Sequence, residues 1–274
     1  MMTSEEQRFF ELKTVPFSKE ISDDELWLPP SKQPIVDALC EAVKAKQCVL
    51  LTGEPGVGKT CVLRAVRSRL TSPNIRLTYC HNVMLGRRDF YRQLCVALDL
   101  RAKATAAALF YAVSTHVEEL ARDKIRPVLL LDEAHLLHQD TLDHLHVLLN
   151  YEWDSQALLS LVLIGLPTLE DRLTLRHNRS LYSRLHVRLR IDALTADDTA
   201  AYVQNRLEQA GTKTNIFAYD ALAALHEATL GNMRDIDRFA SLILSEAKRR
   251  DQKKVQRDIV MRVVEQEQRY IVGA

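Results

Sequence analysis

One short segment carries the residue types that bind phosphate groups. It places glycines around a small loop and then a lysine and a threonine, in the order Gly53, Glu54, Pro55, Gly56, Val57, Gly58, Lys59, Thr60 and Cys61. Glycines let backbone N–H groups turn inward around phosphates, and a helix that begins here adds the positive end of its dipole. Lys59 would reach the β- and γ-phosphates, and the Thr60 hydroxyl would ligate magnesium. The segment therefore predicts a site for ATP and Mg²⁺.

Two adjacent acids form the second candidate. Asp132 and Glu133 directly follow the apolar run Val128–Leu131. Downstream of a phosphate-binding loop, this pattern predicts that Asp132 holds magnesium, directly or through water, and that Glu133 polarises the attacking water as a general base. A pair of helix-capping acids is the alternative. The letters DEAH at 132–135 also occur in a class of helicases, but the sequence shows no second α/β domain.

Two arginines stand where they could act on a bound nucleotide. Arg184 precedes the last predicted strand, a place from which an arginine can reach the γ-phosphate of a neighbouring subunit. A surface arginine is the alternative, and Arg176, Arg179 and Arg188 are rivals for the role. Arg234, at the start of a predicted helix, could report the state of the nucleotide, and a solvated helix arginine is its alternative.

The elements that must position these residues alternate between strands and helices. Short apolar runs predict buried strands at Cys48–Thr52, Ile75–Cys80, Val128–Leu131 and Leu161–Ile164, and an alternating pattern predicts an edge strand at Val187–Ile191. Between them, helical periodicity covers Ile35–Lys46, Lys59–Leu70, Arg88–Leu98, Ala104–Arg122 and Asp140–Asn150. Strands that alternate with helices predict an α/β fold with a parallel sheet and right-handed crossovers.

The pattern changes after Asp192, where only helical periodicity remains. Helices are predicted at Thr195–Ala210, Phe217–Thr229, Met233–Arg250 and Val255–Tyr270. At the other end, prolines punctuate an irregular stretch. We therefore expect an irregular N-terminal segment at 1–34, an α/β P-loop ATPase domain at 35–192 and a small all-helical lid domain at 193–274.

The charge balance limits the choice of nucleic-acid partner. Lys and Arg number 37 against 36 Asp and Glu, a formal net charge of +1, which does not indicate a globally basic nucleic-acid binder. A local basic patch that binds nucleic acid is still possible, because net charge does not describe how charges are distributed. Its candidates are Arg87, Arg88, Arg101 and Lys103, and secondly the basic run from Lys248 to Lys254. No aromatic residue alternates with these charges, which disfavours a platform that stacks single-stranded bases.

The remaining features indicate a reducing, aqueous compartment. None of the five cysteines has the close spacing of a zinc or redox motif, and a histidine metal site is disfavoured because the needed ligands are missing. The N-terminus is polar and acidic, unlike a signal peptide. No apolar run is long enough to span a bilayer. We expect a cytoplasmic protein without membrane contact.

Taken in order, these motifs resemble the AAA+ ATPases. Within that superfamily the chain is most similar to the group that includes the ExeA-like and the TniB/TnsC-like proteins, a resemblance that covers roughly residues 9 to 250. The segments that carry it are Phe9–Leu12 with Pro16 and Phe17, Leu51–Thr60, Leu131–His135, and Leu163–Leu169.

The resemblance implies an AAA+ fold with a helical lid, and ATP and Mg²⁺ as ligands. It also implies that subunits assemble into a homo-oligomer, a ring or a filament. Arg184 matches the arginine finger and Arg234 the second sensor of this superfamily. The first sensor is a polar residue just after the fourth strand, but Leu166 aligns there, with Thr168 as the nearest polar substitute. This departure lowers the expected efficiency of hydrolysis.

The group divides by biological context. ExeA-like members energise assembly of a secretion channel and carry a membrane span and a cell-wall-binding domain after the ATPase. Since this sequence stops at Ala274 with neither, we expect the second context, that of transposon accessory ATPases. Such proteins assemble on double-stranded DNA in the ATP-bound state and recruit or stimulate a transposase or a target-selection protein. The alternatives are a protein-remodelling ATPase without DNA binding and a slow nucleotide switch.

Overall fold

The computed structural model describes residues 3–81, 85–212 and 214–272, with side chains up to residue 268. These residues divide into two compact units. The α/β unit comprises residues 35–55 and 62–191. The helical unit comprises the segment up to Pro34, residues 56–61 and the chain from Asp192 onward.

The α/β unit is built on a parallel five-stranded sheet. Its strands are β1 (Cys48–Gly53), β2 (Ile75–Cys80), β3 (Arg126–Leu131), β4 (Ser160–Gly165) and β5 (Leu185–Ile191). They are ordered β2-β3-β4-β1-β5, and all four pairings are parallel. The predicted α/β class is therefore confirmed, and β5 is an edge strand as expected.

Helices flank this sheet. They are α2 (Gln33–Lys44), α3 (Lys59–Arg69), α4 (Arg87–Ala97), α5 (Ala106–Arg122), α6 (Gln139–Leu148), α7 (Thr168–Thr174) and α8 (Arg179–Tyr182). The first five lie within two residues of their predicted bounds. Periodicity did not predict α7 and α8, because helices of one or two turns offer too few positions to establish a period.

The central strands β1, β3 and β4 form the core of the α/β unit because most of their residues are apolar and buried. Every residue of β1 and β4 is buried, and a fully covered parallel sheet selects continuous apolar runs over alternating ones. The register pairs Leu131 with Leu163, and Thr52 with Gly165. The carboxyl ends of β1, β3 and β4 therefore lie at one edge of the sheet.

The helical unit contains α1 (Ser4–Phe9), α9 (Ala196–Gln209), α10 (Tyr219–Thr229), α11 (Met233–Arg249) and α12 (Arg257–Val272). Its core joins the N-terminal Phe10, Leu12 and Phe17 to residues such as Tyr202 and Ile243. Helix α1 lies in a segment that we expected to be irregular, where a Thr3–Glu6 capping box starts it. The division into 1–34, 35–192 and 193–274 stays a prediction, although the compact units change near residues 34 and 192.

Within the part of the chain that the structure describes, no helix combines the length and apolarity needed to cross a membrane. The five cysteines are free thiols. Burial raises the pKa of Cys48 and raises that of Cys80 to about 11. Such thiols are unreactive, as expected of small buried apolar residues.

Candidate functional site

The predicted phosphate-binding loop has the backbone that its glycines indicate. The chain leaves β1 at Gly53 and enters α3 at Lys59. Gly56 and Gly58 have φ of 82° and 98°, in the region that favours glycine. A Cβ at Gly56 would lie 2.3 Å from Oδ1 of Asn232, and one at Gly58 would lie 2.6 Å from Sδ of Met233. Both positions therefore require glycine for conformation and for space.

The start of α11 contacts this loop within the helical unit. Oδ1 of Asn232 accepts hydrogen bonds from the backbone N–H groups of Arg234 and Asp235, at 3.1 and 3.4 Å, and so caps the helix. The N–H of Arg234 also lies 3.2 Å from the carbonyl oxygen of Gly56. Arg234 is thus adjacent to the loop and exposed. Its role as a nucleotide sensor stays a prediction.

The first turn of α3 suits an anionic ligand. Lys59 is buried and Thr60 is exposed, and both belong to an 11-residue helix whose first N–H groups have no carbonyl partner within the helix itself. Those groups, the helix dipole and the ammonium all favour phosphate. The loop geometry and the donor set therefore fit a nucleotide.

The first acid after β3 is buried and hydrogen-bonded. Asp132 is 6% exposed, and its Oδ2 accepts a 2.7 Å hydrogen bond from the Tyr79 hydroxyl on β2. Its Oδ1 accepts one from the N–H of Glu133 at 2.9 Å. Partial burial, and then the Asp132 carboxylate, raise the pKa of Tyr79, so its hydroxyl remains a donor. Carboxylate oxygens at the end of a strand fit a magnesium ligand.

The second acid has an unusual backbone and a histidine neighbour. Glu133 adopts a left-handed conformation with φ 54°, and its side chain is 49% exposed. Nδ1 of His135 lies 3.5 Å from Oε2 of Glu133 and 3.5 Å from the backbone nitrogen of Leu166. The DEAH letters contained the residue but gave no indication of this contact.

The candidate arginine finger lies before β5, in the α/β unit. Its Nη2 lies 2.9 Å from Oδ2 of Asp154, and its Nη1 donates to the carbonyl of Ser180 at 3.0 Å. The Arg184 side chain is 23% exposed. Its rival Arg188 instead stacks over the Tyr182 ring at 3.8 Å. Action on another subunit would require Arg184 to exchange Asp154 for a phosphate.

Thr168, the proposed substitute for the first sensor, begins α7 and is exposed. Leu166 lies between the end of β4 and this helix, and its backbone N–H faces His135. The first-sensor position after β4 is occupied by Leu166, whose side chain is apolar. The imidazole of His135, from the turn after β3, places a polar group next to it.

The first set of DNA-binding candidates is exposed on the α/β unit. Arg87, Arg88, Arg101 and Lys103 all lie at the surface, and the described residues provide no ion-pair partner for them. Arg87 lines a cavity of about 190 Å³ whose other walls are aromatic or small, namely Tyr91, Ala106, Ala107, Phe110, Tyr111 and His144. Tertiary structure thus places the rings of Phe110, Tyr111 and His144 beside a charge from which they are distant in sequence.

The second candidate, the basic run at the end of α11, is largely neutralised. Lys248 lies 2.8 Å from Glu5, and Lys253 lies 3.6 Å from Glu11. Glu246 pairs with the two arginines of the run, Arg249 and Arg250. Charges that are already compensated attract DNA phosphates weakly, so the first set is the better candidate.

Comparisons with known proteins agree with this geometry. The profile of the AAA domain family matches residues 42–173. General secretion pathway protein A of Aeromonas hydrophila is 37% identical over 202 residues, which are 73% of this chain and 36% of the relative. The match therefore spans about a third of that curated relative.

Two solved structures show the fold. The Drosophila ORC bound to DNA matches with a TM-score of 0.71 and 19% identity, over 96% of this chain and 65% of that one. The Aeropyrum pernix ORC1 protein in complex with DNA matches with a TM-score of 0.66 and 20% identity, over 91% and 67%. At these identities the likeness defines the fold, that of the AAA+ P-loop ATPases.

Proposed function

We propose that this chain, which has the AAA+ P-loop fold, binds ATP with Mg²⁺ at Gly53–Cys61 and hydrolyses it. The observation that carries the proposal is the shared edge of the sheet: β1 leads into the glycine loop at the edge where β3 ends in Asp132 and Glu133. In an open parallel sheet, ligands bind outside the carboxyl ends of the strands.

Each residue contributes a distinct part. The loop N–H groups and Lys59 bind and orient the phosphates, and the Thr60 hydroxyl and the Asp132 carboxylate are the proposed magnesium ligands. Bound Mg²⁺ neutralises charge on the β- and γ-phosphates. Glu133 accepts a proton from the attacking water. Its exposure is consistent with that role, because a general base must reach solvent-derived water.

Two variants test the proposal. Lys59→Ala should abolish ATP binding in calorimetry, because it removes the ammonium that compensates phosphate charge. Glu133→Gln should keep ATP binding but lower kcat by about 10²- to 10⁴-fold, the usual contribution of a general base. Wild-type affinity of the first variant would contradict the phosphate site, and a wild-type rate of the second would contradict the role of the base.

The finer role that we propose is assembly on double-stranded DNA with recruitment or stimulation of a transposase or target-selection protein. It is supported by the resemblance to transposon accessory ATPases and by the exposed Arg87, Arg88, Arg101 and Lys103. A net charge of +1 disfavours tight binding by one subunit. In an oligomer the same modest patch repeats along the duplex, so weak contacts add through multivalency.

A second candidate function is the assembly or remodelling of a protein complex without DNA. The observation that favours it is the 37% identity to a protein named for the general secretion pathway. Because that relative is much longer than the matched region, its activity and partners are proposals for this chain.

A titration of duplex DNA into the protein, with and without ATP, distinguishes the two. The DNA role predicts ATP-dependent binding that is insensitive to sequence and weakens steeply with salt, because each neutralised phosphate releases counterions. If the ATP-bound oligomer does not bind duplex at low salt, the protein-remodelling role becomes the better proposal.

A further inference from the structure

The turn after β3 places the His135 imidazole between the carboxylate of Glu133 and the end of β4. Its Nδ1 lies 3.5 Å from Oε2 of Glu133 and 3.5 Å from the Leu166 nitrogen, whose N–H points toward it. We propose that His135 is a positioning residue that orients the Glu133 carboxylate and couples its position to the end of β4. The inference rests on the proposed role of Glu133 as the general base.

The end of β4 is shaped to receive this ring. Gly165 is the last residue of β4, and a Cβ there would lie 3.0 Å from Cδ2 of Leu169, 3.2 Å from the backbone nitrogen of His135 and 3.3 Å from its Nδ1. These distances are shorter than ordinary contacts, so an added Cβ would require Leu169, the turn and the imidazole to shift by a few tenths of an ångström. The glycine therefore provides the space that the His135 contact needs.

The backbone of the turn is held from a third element. Arg172, on α7, donates to the carbonyl oxygens of His135 and Leu137 at 2.5 and 3.0 Å. These bonds anchor the 3₁₀ turn at Ala134–Leu136, directly after Glu133. A left-handed glutamate persists only where surrounding contacts hold it, and Arg172 supplies two of them.

The two neighbours of Nδ1 require different hydrogen positions. A ring nitrogen that accepts the Leu166 N–H has no hydrogen to offer, whereas one that donates to Glu133 cannot accept. In the first arrangement the Glu133 carboxylate is left for water, and in the second it is occupied. Movement of the β4 end toward or away from His135 would thus change how available Glu133 is. His135 would act through Glu133 and not on the reacting atoms themselves.

Steady-state kinetics and ATP calorimetry of His135→Ala and His135→Asn test the inference. A misplaced base slows catalysis without weakening substrate binding, so His135→Ala should lower kcat about 10- to 100-fold and leave the Kd for ATP unchanged. His135→Asn should recover part of the rate, because its amide offers both a donor and an acceptor. His138→Ala, at an exposed histidine just before α6, is the matched control and should behave as wild type.

Gly165→Ala provides a second route that leaves the imidazole in place. It should lower kcat with unchanged ATP affinity, whereas Gly86→Ala, where an added Cβ meets open space, should not. If the melting temperature of His135→Ala shows that this variant does not fold, Gly165→Ala and its control Gly86→Ala provide the test instead. A wild-type kcat in folded His135→Ala would overturn the positioning role. If His135→Ala does not fold, a wild-type kcat in Gly165→Ala would overturn it.

A double variant separates this inference from the proposed function. If His135 acts through Glu133, adding His135→Ala to Glu133→Gln should cause no further loss in single-turnover hydrolysis. An equal loss in both backgrounds would overturn the inference. Wild-type turnover of Glu133→Gln would overturn the role of Glu133 itself, whereas slow Glu133→Gln with fast His135→Ala would overturn only the positioning role.

Discussion

The turn after β3 and the basic run near the C-terminus are both rich in polar residues, but their partners differ. In the turn, Asp132 and His135 are hydrogen-bonded to groups from β2 and from the end of β4. In the run, Lys248 and Lys253 form ion pairs with exposed acids at the N-terminus.

This difference separates groups organised for chemistry from groups that compensate one another. Several elements converge on the turn, yet the Glu133 carboxylate is half exposed and stays available. In the run, Arg249 and Arg250 share the single carboxylate of Glu246. Exposed pairs such as Lys253 with Glu11 contribute little to stability. Sequence alone marked both regions as functional candidates, and only their partners distinguish them.

The largest effect on ATP hydrolysis is expected for Arg184, an ion-paired arginine that we nevertheless propose to be functional. It is ion-paired with Asp154, like the basic run, yet we propose that it acts on a neighbouring subunit. Arg184→Ala and Glu133→Gln should each be inactive alone. Equal mixtures should recover up to about a quarter of wild-type ATP hydrolysis, since a heterologous interface can then combine an intact base with an intact arginine.

The matched control for that experiment is Arg179→Ala, at an exposed arginine of the short helix α8, which should keep full activity unmixed. If Arg184→Ala and Glu133→Gln co-assemble but every mixture stays inactive, Arg184 does not act across an interface.

An intermediate effect is expected on DNA binding, for which the exposed arginines of α4 are compared with the basic run. Charge reversal at Arg87 and Arg88 should weaken duplex binding about equally for unrelated sequences and lower the slope of log K against log salt by about two, one per phosphate contact. The same reversal at Lys248 and Lys253 should change neither quantity, because Lys248 already pairs with Glu5 and Lys253 with Glu11. Equal losses in the two double variants would show that the basic run binds DNA despite its ion pairs.

The smallest effect is expected at Tyr79, whose hydroxyl donates to Asp132. Tyr79→Phe removes a group that orients a proposed magnesium ligand, so the Mg²⁺ concentration for half-maximal hydrolysis should rise about threefold to tenfold. A magnesium titration of ATPase activity measures this shift, with the exposed Tyr111→Phe as control. An unchanged magnesium requirement would remove Tyr79 from the site.

Much of the fold follows from local patterns in the sequence. The strand Ile75–Cys80 has the predicted bounds, and Lys59 begins α3 as its position after a glycine loop indicated. These elements depend on residues that are close in the chain. The short helix α7 and the helix at Ser4–Phe9 were missed, because each is too short to reveal a period.

For the candidate site, too, the sequence predicted only what depends on neighbouring residues in the chain. Asp132 and Glu133 follow an apolar strand directly, so adjacency alone placed them at the end of β3. The partners of these acids come from other elements: Tyr79 from β2 and Leu166 from beyond β4. Which strand ends lie together depends on the order β2-β3-β4-β1-β5, and no local pattern encodes that order.

The sequence by itself determined the long helices and the strands, the glycine loop after β1 and the acid pair after β3, because periodicity, glycine placement and adjacency are local properties. Only the tertiary structure decided that His135 contacts Glu133, that Gly165 makes room for it, and that two lysines of the basic run pair with Glu5 and Glu11. The physical reason is that a charge or a hydrogen-bonding group acts on whatever lies within a few ångströms, and strand order and loop paths set those neighbours across long separations in the chain.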